Sequence, residues 1–218
     1  MSDKIQLYSM GTPNGQKISI ALEEMAIEYD AHLINIMKGD QFKPEFLSIN
    51  PNSKIPAIVD PTGDNGSPLS IMESGAILLY LAEKSGKLLP TDKVKRSQVL
   101  QWLFFQVGGA GPMFGQFGHF YRYAKDSVTD TYALDRYTTE TKRLLKVIDN
   151  QLQDNKYIAG GEISIADFSL APWIVCLDHF YKAKELLTLD EYSNCNRWLN
   201  EIMARPAVKK GMNILRDF

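Results

Sequence analysis

The chain has 218 residues, 44% hydrophobic and 23% charged, and a formal charge of -2 from 24 basic and 26 acidic residues. That length allows one large domain or two small ones, and the near-neutral balance offers no basic surface for nucleic acid or an anionic membrane. No apolar run is long enough for a membrane span or a signal peptide. The two cysteines, Cys176 and Cys195, lie far apart in sequence and form no Cys-x-x-Cys, so neither a disulfide framework nor a metal motif is indicated and a reducing cytoplasm is the expected setting.

In chain order, Ile5 and Leu7 alternate with polar neighbours and predict a short strand, with Tyr8 in the core. Gly11-Thr12-Pro13-Asn14-Gly15 breaks it. Ile18, Ala21, Leu22 and Met25 recur at helical spacing and predict a helix from about Gly15 to Ala26. Ala31, Leu33 and Ile34 suit a second strand, and Lys43 to Leu47 a short helix with Pro44 in its first turn. Ile55 to Val59 reads as a third strand, Pro61 to Gly66 as a turn, and Leu69 to Met72 as a fourth strand. A helix from Ser74 to Lys84 closes the unit. The order predicts a parallel βαβ pair, then an antiparallel hairpin, hence a mixed sheet with helices on its faces.

Gly86 to Asp92 has helix-stopping chemistry at both ends. Only helical patterns follow. Val99, Trp102, Leu103 and Gln106 begin one, and Tyr137 to Leu152 mark a long one. Ser164-Ile165-Ala166-Asp167 predicts a capping box with Asp in place of Glu. Tyr192 to Ile202 mark the last, ended by Arg205-Pro206.

Two segments carry chemistry. Ile55 to Val59 contains Pro56, which donates no ladder hydrogen bond. Glu73-Ser74 opens an apolar-periodic helix. Together they suggest a peptide-like ligand held by main-chain bonds beside Pro56, with its carboxylate on the helix that starts near Ser74. Read alone, Glu73-Ser74 fits an ordinary helix start equally well.

The blocks Thr12 to Lys17, Gly39 to Phe42, Asn50 to Asp60, Glu73 to Lys84, and Gln101-Trp102-Leu103 running to Gly109, taken in order, resemble the cytosolic glutathione transferase family. The match is closest to the nu-class bacterial enzymes and the related fungal nitrogen-regulator-like proteins, and it spans essentially the whole chain. It implies an α/β plus all-α fold. A thioredoxin-like glutathione-binding domain at 1–86 with a mixed four-stranded sheet is joined by a linker, 87–95, to an all-helical domain, 96–218.

The resemblance also implies roles. Ser74 and the first N–H groups of its helix hold the γ-glutamyl carboxylate, and Glu73 faces the ammonium. Ile55 pairs with the cysteinyl residue through its main chain beside a cis Pro56. Lys54 and Gln41 are candidates for the glycine carboxylate. Arg136 reaches glutathione from the second domain. The Thr12 hydroxyl and the Asn14 amide donate to the sulfur and favour the thiolate, the nucleophilic form. No cysteine lies in this loop, so any dithiol chemistry draws on glutathione, as two reduced molecules or one disulfide.

The expected function is reduction of small disulfides, with weaker conjugation or peroxidase activity, by a cytoplasmic homodimer needing no metal. A glutathione-dependent dehalogenase or isomerase is a second enzyme reading. A non-catalytic glutathione-binding regulatory protein is a third; it is disfavoured because Met1 stands almost directly before the first strand. The Gly-rich, aromatic run Gly108 to Tyr121 suggests close approach or a bend, with Phe114, Phe117, Phe120 and Tyr121 either lining an apolar wall or packing internally; His119 carries no expected catalytic role.

Overall fold

A computed structural model describes residues 3–63 and 66–216. The turn expected over Pro61 to Gly66 therefore falls partly outside the described residues, at Asp64 and Asn65. The chain folds as two compact units, Met1–Leu89 together with Ala204–Phe218, and Pro90–Met203.

The first unit is built on four strands: β1 (Ile5–Ser9), β2 (Tyr29–Leu33), β3 (Ala57–Asp60) and β4 (Leu69–Met72). Their order is β2-β1-β3-β4, with β1 and β2 parallel and the other pairs antiparallel. Helices α1 (Pro13–Met25), α2 (Pro44–Leu47) and α3 (Ser74–Ser85) complete the expected βαβ-hairpin-helix order, a thioredoxin-like arrangement. The core forms where Ile18, Ala21, Leu22 and Met25 of α1 and Ile77, Leu78 and Leu81 of α3 are buried with Leu7 and Ile58 of the sheet.

Four details depart from the expectations. First, α1 begins at Pro13 rather than Gly15, because Thr12 caps it and proline suits a first helical position. Second, β3 begins at Ala57 rather than Ile55, after a cis Ile55–Pro56 bond. Third, Tyr8 is only half-buried: Ile5, Leu7 and Ser9 take the buried positions of β1, and Tyr8 stacks on His32 with ring centroids 4.7 Å apart.

The fourth concerns the C-terminus. Arg205-Pro206 ends one helix but starts another, α9 (Pro206–Gly211), which packs on α1 in the first unit. A Cβ on Gly211 would lie 2.6 Å from the Ile20 backbone, so glycine permits this approach. The Ser19 hydroxyl donates to the Gly211 carbonyl (2.7 Å), Gln16 Nε2 donates to the Met212 carbonyl (3.1 Å), and Arg205 makes a forked pair with Glu24 (2.6 and 2.7 Å).

The second unit is helical among its described residues: α4 (Lys93–Phe105), α5 (Gly111–Gly118), α6 (Tyr132–Gln153), α7 (Ile165–Val175) and α8 (Ser193–Ala204). The capping box at α7 forms as expected. Asp167 accepts from Ser164 N–H (2.8 Å) and also from Ile158 N–H (2.9 Å) and Trp198 Nε1 (2.8 Å). Wide helical turns at Gln106–Ala110 and His119–Tyr123 flank α5. Gly111 and Gly118 are sites of close approach, to Gln106 and to the Tyr181 ring. Phe114 and Phe117 are fully buried, so they pack internally and line no open wall. Cys176 and Cys195 are free, buried thiols; burial pushes both up to about 12.

Candidate active site

Strand pairing dictates where the site forms. Tyr8 pairs with Ala57 and Ala57 pairs with Met72, both antiparallel. The end of β1, the start of β3 and the end of β4 therefore meet at one edge of the sheet. Three segments follow directly: the Met10–Thr12 loop that opens α1, the Ile55–Pro56 pair, and Glu73-Ser74 at the head of α3. Leu33 ends β2 opposite Ser9, and Ile34 N–H donates to the Ser9 carbonyl (2.9 Å), so the 34–56 connection starts and finishes at this edge too.

Thr12 is the N-cap of α1. Its Oγ1 accepts from Gly15 N–H (3.4 Å), which leaves the hydroxyl hydrogen to donate elsewhere. Asn14 sits one residue beyond the proline, in the first turn, half-exposed. Gly15 cannot carry a side chain here, because a Cβ would collide with the Met10 carbonyl and Ser9 Oγ. An anion in front of this loop would meet the positive end of the helix.

Ile55 is half-buried, and its N–H and C=O have no hydrogen-bond partner among the described residues. That is an open main-chain pair next to a strand, the form a peptide can extend. Asn50, only 2% exposed, shapes the approach: Nδ2 donates to the Lys54 carbonyl (2.6 Å) and Oδ1 accepts from Asn52 N–H (2.9 Å). Lys54 is exposed, and its ammonium has no partner among the described residues. Gln41 Nε2 donates to the Ile36 carbonyl (3.3 Å), and its Oε1 is buried without a partner among the described residues. The amide thus presents an acceptor as well as the donor expected of it.

At α3 the backbone is strained. Glu73 has φ +69°, a region that L side chains rarely adopt, and its side chain makes no cap bond, unlike those of Thr12, Asp92 and Ser164. The N–H groups of Ser74 and Gly75 have no partner among the described residues. Ser74 is buried and its Oγ receives a hydrogen bond from Lys17 Nζ at 3.1 Å. Lys17 is 1% exposed; burial pulls its pKa down from 10.5 to about 7, against the upward pull of the Glu73 charge. Sequence reasoning assigned Lys17 no role. The available signal was its place four residues before Ala21, a lysine on the apolar face of α1.

Arg136 belongs to the second unit and is exposed on α6, where the Arg143 hydrogen bond and, in smaller part, the Arg136 charge hold the Glu140 carboxyl below its ordinary value. Among the described residues no group of three or more His, Cys, Asp or Glu is placed to hold a metal ion, and no helix is long and apolar enough to cross a membrane.

The edge therefore offers two helix N-termini, an open main-chain pair and a buried ammonium, a set suited to a short peptide with a carboxylate and a nucleophilic sulfur. Family comparison agrees with this chemistry. The glutathione S-transferase N-terminal domain model matches residues 12–84 and the C-terminal domain model matches residues 112–206. The chain belongs to the glutathione S-transferase family.

Within that family it is 49% identical over 220 residues to the disulfide-bond oxidoreductase YghU of Escherichia coli, covering 97% of this chain and 75% of that protein. A glutathione transferase from Burkholderia graminis, solved with two glutathione molecules per subunit, superposes with a TM-score of 0.95 at 48% identity, covering 97% of this chain and 88% of that one. A glutathione transferase from Pseudomonas putida, solved with one glutathione disulfide per subunit, gives a TM-score of 0.95 at 48% identity, covering 97% and 92%.

Proposed function

We propose that this protein binds glutathione, as two reduced molecules or one disulfide, and uses it to reduce small disulfides, with weaker conjugation or peroxidase activity. The observation that carries the reading is the convergence of Thr12 and Asn14, the open Ile55 main chain, and the uncapped head of α3 at one sheet edge. The relatives named above, one called a disulfide-bond oxidoreductase and others solved with glutathione or its disulfide, support it.

In this reading the γ-glutamyl carboxylate lies on the Ser74 hydroxyl and the Ser74 and Gly75 N–H groups, with Glu73 facing the ammonium. The cysteinyl residue extends the sheet through Ile55 beside Pro56. Lys54, Gln41 and Arg136 serve the remaining carboxylates. Thr12 and Asn14 donate to the sulfur, and the α1 terminus stabilises the thiolate.

The thiolate attacks one sulfur of a substrate disulfide, forming a mixed disulfide and expelling a thiolate that takes up a proton. A second glutathione thiolate attacks the glutathione sulfur of the mixed disulfide and expels the second thiol. Two glutathione molecules and one disulfide thus give glutathione disulfide and two thiols. The protein is proposed to act as a homodimer in the cytoplasm.

The test is glutathione-dependent reduction of hydroxyethyl disulfide, run beside conjugation of a chloro-aromatic electrophile. Loss of one charge-assisted donor to the thiolate should slow disulfide reduction roughly tenfold in Thr12→Ala and in Asn14→Ala. Unchanged rates in both variants refute the thiol-site assignment. Wild-type binding of glutathione with neither activity refutes the enzyme.

A further inference from the structure

The loop that opens α1 is held from a distant part of the chain. Gly11 N–H donates to the Leu215 carbonyl (2.8 Å), and the next residue, Thr12, is the one proposed to face the sulfur. Glycine is required at this contact: a Cβ on Gly11 would lie 2.9 Å from the Arg216 Cα and 3.0 Å from the Leu215 carbonyl oxygen. On its other side the loop is pressed against α1, where a Cβ on Gly15 would collide with the Met10 carbonyl. The loop is thus set between two backbones, one of which follows α9. All of these residues belong to the first unit.

Docking of α9 does not need this extra reach. Ser19 and Gln16 already bind the Gly211 and Met212 carbonyls, and Gly211 lies against Ile20. Beyond Met212 the chain keeps turning, with Asn213 N–H donating to the Lys210 carbonyl (3.1 Å) and Ile214 N–H to the Gly211 carbonyl (3.3 Å). Leu215 then takes φ +55°, a left-handed conformation that is costly for leucine. Its side chain is only half-buried, so packing is a poor reason for the strain. The strained residue is the one whose carbonyl meets the thiol loop.

We infer that Leu215 is a positioning residue for the thiol: through its carbonyl it fixes Gly11, and so sets the Thr12 hydroxyl and the N-terminus of α1 against the glutathione sulfur. The inference rests on the proposed role of Thr12 in forming the thiolate. The same segment grips α1 twice, at Gln16 and Ser19 in its body and at Gly11 where the chain enters it, so loop and helix are held as one piece. A small misalignment weakens a charge-assisted hydrogen bond steeply. The Ile55 main chain and the head of α3 make no bond to this segment among the described residues. Loss of the brace should therefore lower thiolate formation and turnover while leaving peptide binding in place.

Leu215→Pro tests this, because the proline ring excludes φ +55° and turns the carbonyl off Gly11. Thiolate formation is read from the ultraviolet absorbance of bound glutathione at neutral pH, and turnover from reduction of hydroxyethyl disulfide. Both the thiolate absorbance and kcat should fall roughly five- to tenfold, with KM for glutathione little changed. Affinity for S-methylglutathione, whose blocked sulfur forms no thiolate, should stay within about twofold of wild type by calorimetry. Leu215→Gly keeps the carbonyl and takes φ +55° freely, so it should restore thiolate and turnover. Gly11→Ala disturbs the same contact from the loop side and should reproduce the proline variant.

A Leu215→Pro protein with wild-type thiolate and turnover overturns the inference and leaves the glutathione reading standing. So does one whose affinity for S-methylglutathione falls as far as its turnover, since that marks general damage to the site. If the variants do not fold, wild type still decides: a Gly11 amide proton that exchanges as fast as an unbonded loop amide, followed by NMR, overturns the brace. Wild type that does not bind S-methylglutathione at millimolar concentration refutes the glutathione reading itself, and the inference falls with it.

Discussion

Replacing Lys17 with methionine should stabilise the protein at acid pH, and the gain should shrink as pH rises. Lys17 is 1% exposed, and burial moves its pKa from 10.5 to about 7 despite Glu73. The charged form is disfavoured in the folded state by on the order of 5 kcal/mol. Below pH 7 the lysine is protonated in both folded and unfolded chains, so the whole cost is present. Between pH 7 and 10.5 the unfolded chain binds more protons than the folded one, and stability rises with pH at up to about 1.4 kcal/mol per unit. Methionine fills a similar volume and titrates nowhere in this range. The stability difference between variant and wild type should therefore fall by roughly 2–3 kcal/mol from pH 7 to pH 9. Terms independent of pH, such as the lost bond to Ser74, shift the curve without changing its slope. Urea unfolding of both proteins at pH 6, 7, 8 and 9, with matched m-values, measures the difference, and every other titrating group cancels in it. A difference that stays flat across this range refutes the reasoning, because it shows that Lys17 keeps an ordinary proton affinity.

Three further substitutions probe the scaffold. Asn50→Ala removes both bonds that hold the Lys54 carbonyl and Asn52 N–H; about 1–2 kcal/mol of stability and several-fold in glutathione affinity should be lost, by urea unfolding and calorimetry. Asp167→Ala strands the buried N–H groups of Ile158, Ser164 and Trp198, and should cost roughly 3–5 kcal/mol, read as a lower urea midpoint. Gly211→Ala puts a methyl 2.6 Å from the Ile20 backbone; a loss of about 1–3 kcal/mol and faster proteolytic cutting within 204–216 are expected, and an unchanged digest refutes the tight α1–α9 approach.

Local periodicity made the fold legible. The strands of the first unit, their mixed direction, and the helices from Ser74 and Ser164 follow from alternation, 3.6-residue spacing and capping chemistry. The misses occurred where one residue serves two readings. Pro206 was read as a helix terminator, but proline is equally a first helical residue, so α9 went unseen. Gly11-Thr12-Pro13-Asn14-Gly15 reads as a strand break that delays the helix to Gly15, although Thr12 as cap and Pro13 behind it start α1. Tyr8 was assigned to the core because strand alternation does not say which face is buried. In the site, Pro56 and Glu73-Ser74 stood out as sequence anomalies. Lys17 and Asn50 did not, because their importance lies in burial and in partners far along the chain.

Two buried charges in the first unit show how cost marks function. Asp60, at the far end of β3, is enclosed, and burial alone would raise its pKa. Hydrogen bonds from Lys84, Tyr80 and Thr62 outweigh that and hold the carboxyl well below the usual carboxylate range. The fold has satisfied this charge, so its work is structural: it ties the β3 end to α3. Lys17, at the opposite edge, is driven the other way, toward neutrality. Glu73, beside it, holds φ +69°, and on the 34–56 connection Ser53 holds φ +52° and Gln41 buries an acceptor with no partner among the described residues. Each of these features opposes folding, and all belong to segments that leave or enter one sheet edge. Neighbouring helices show that the sequence can cap a terminus and pair a charge. A buried charge driven toward neutrality and backbone strain at one edge are features that a ligand with matching groups would relieve.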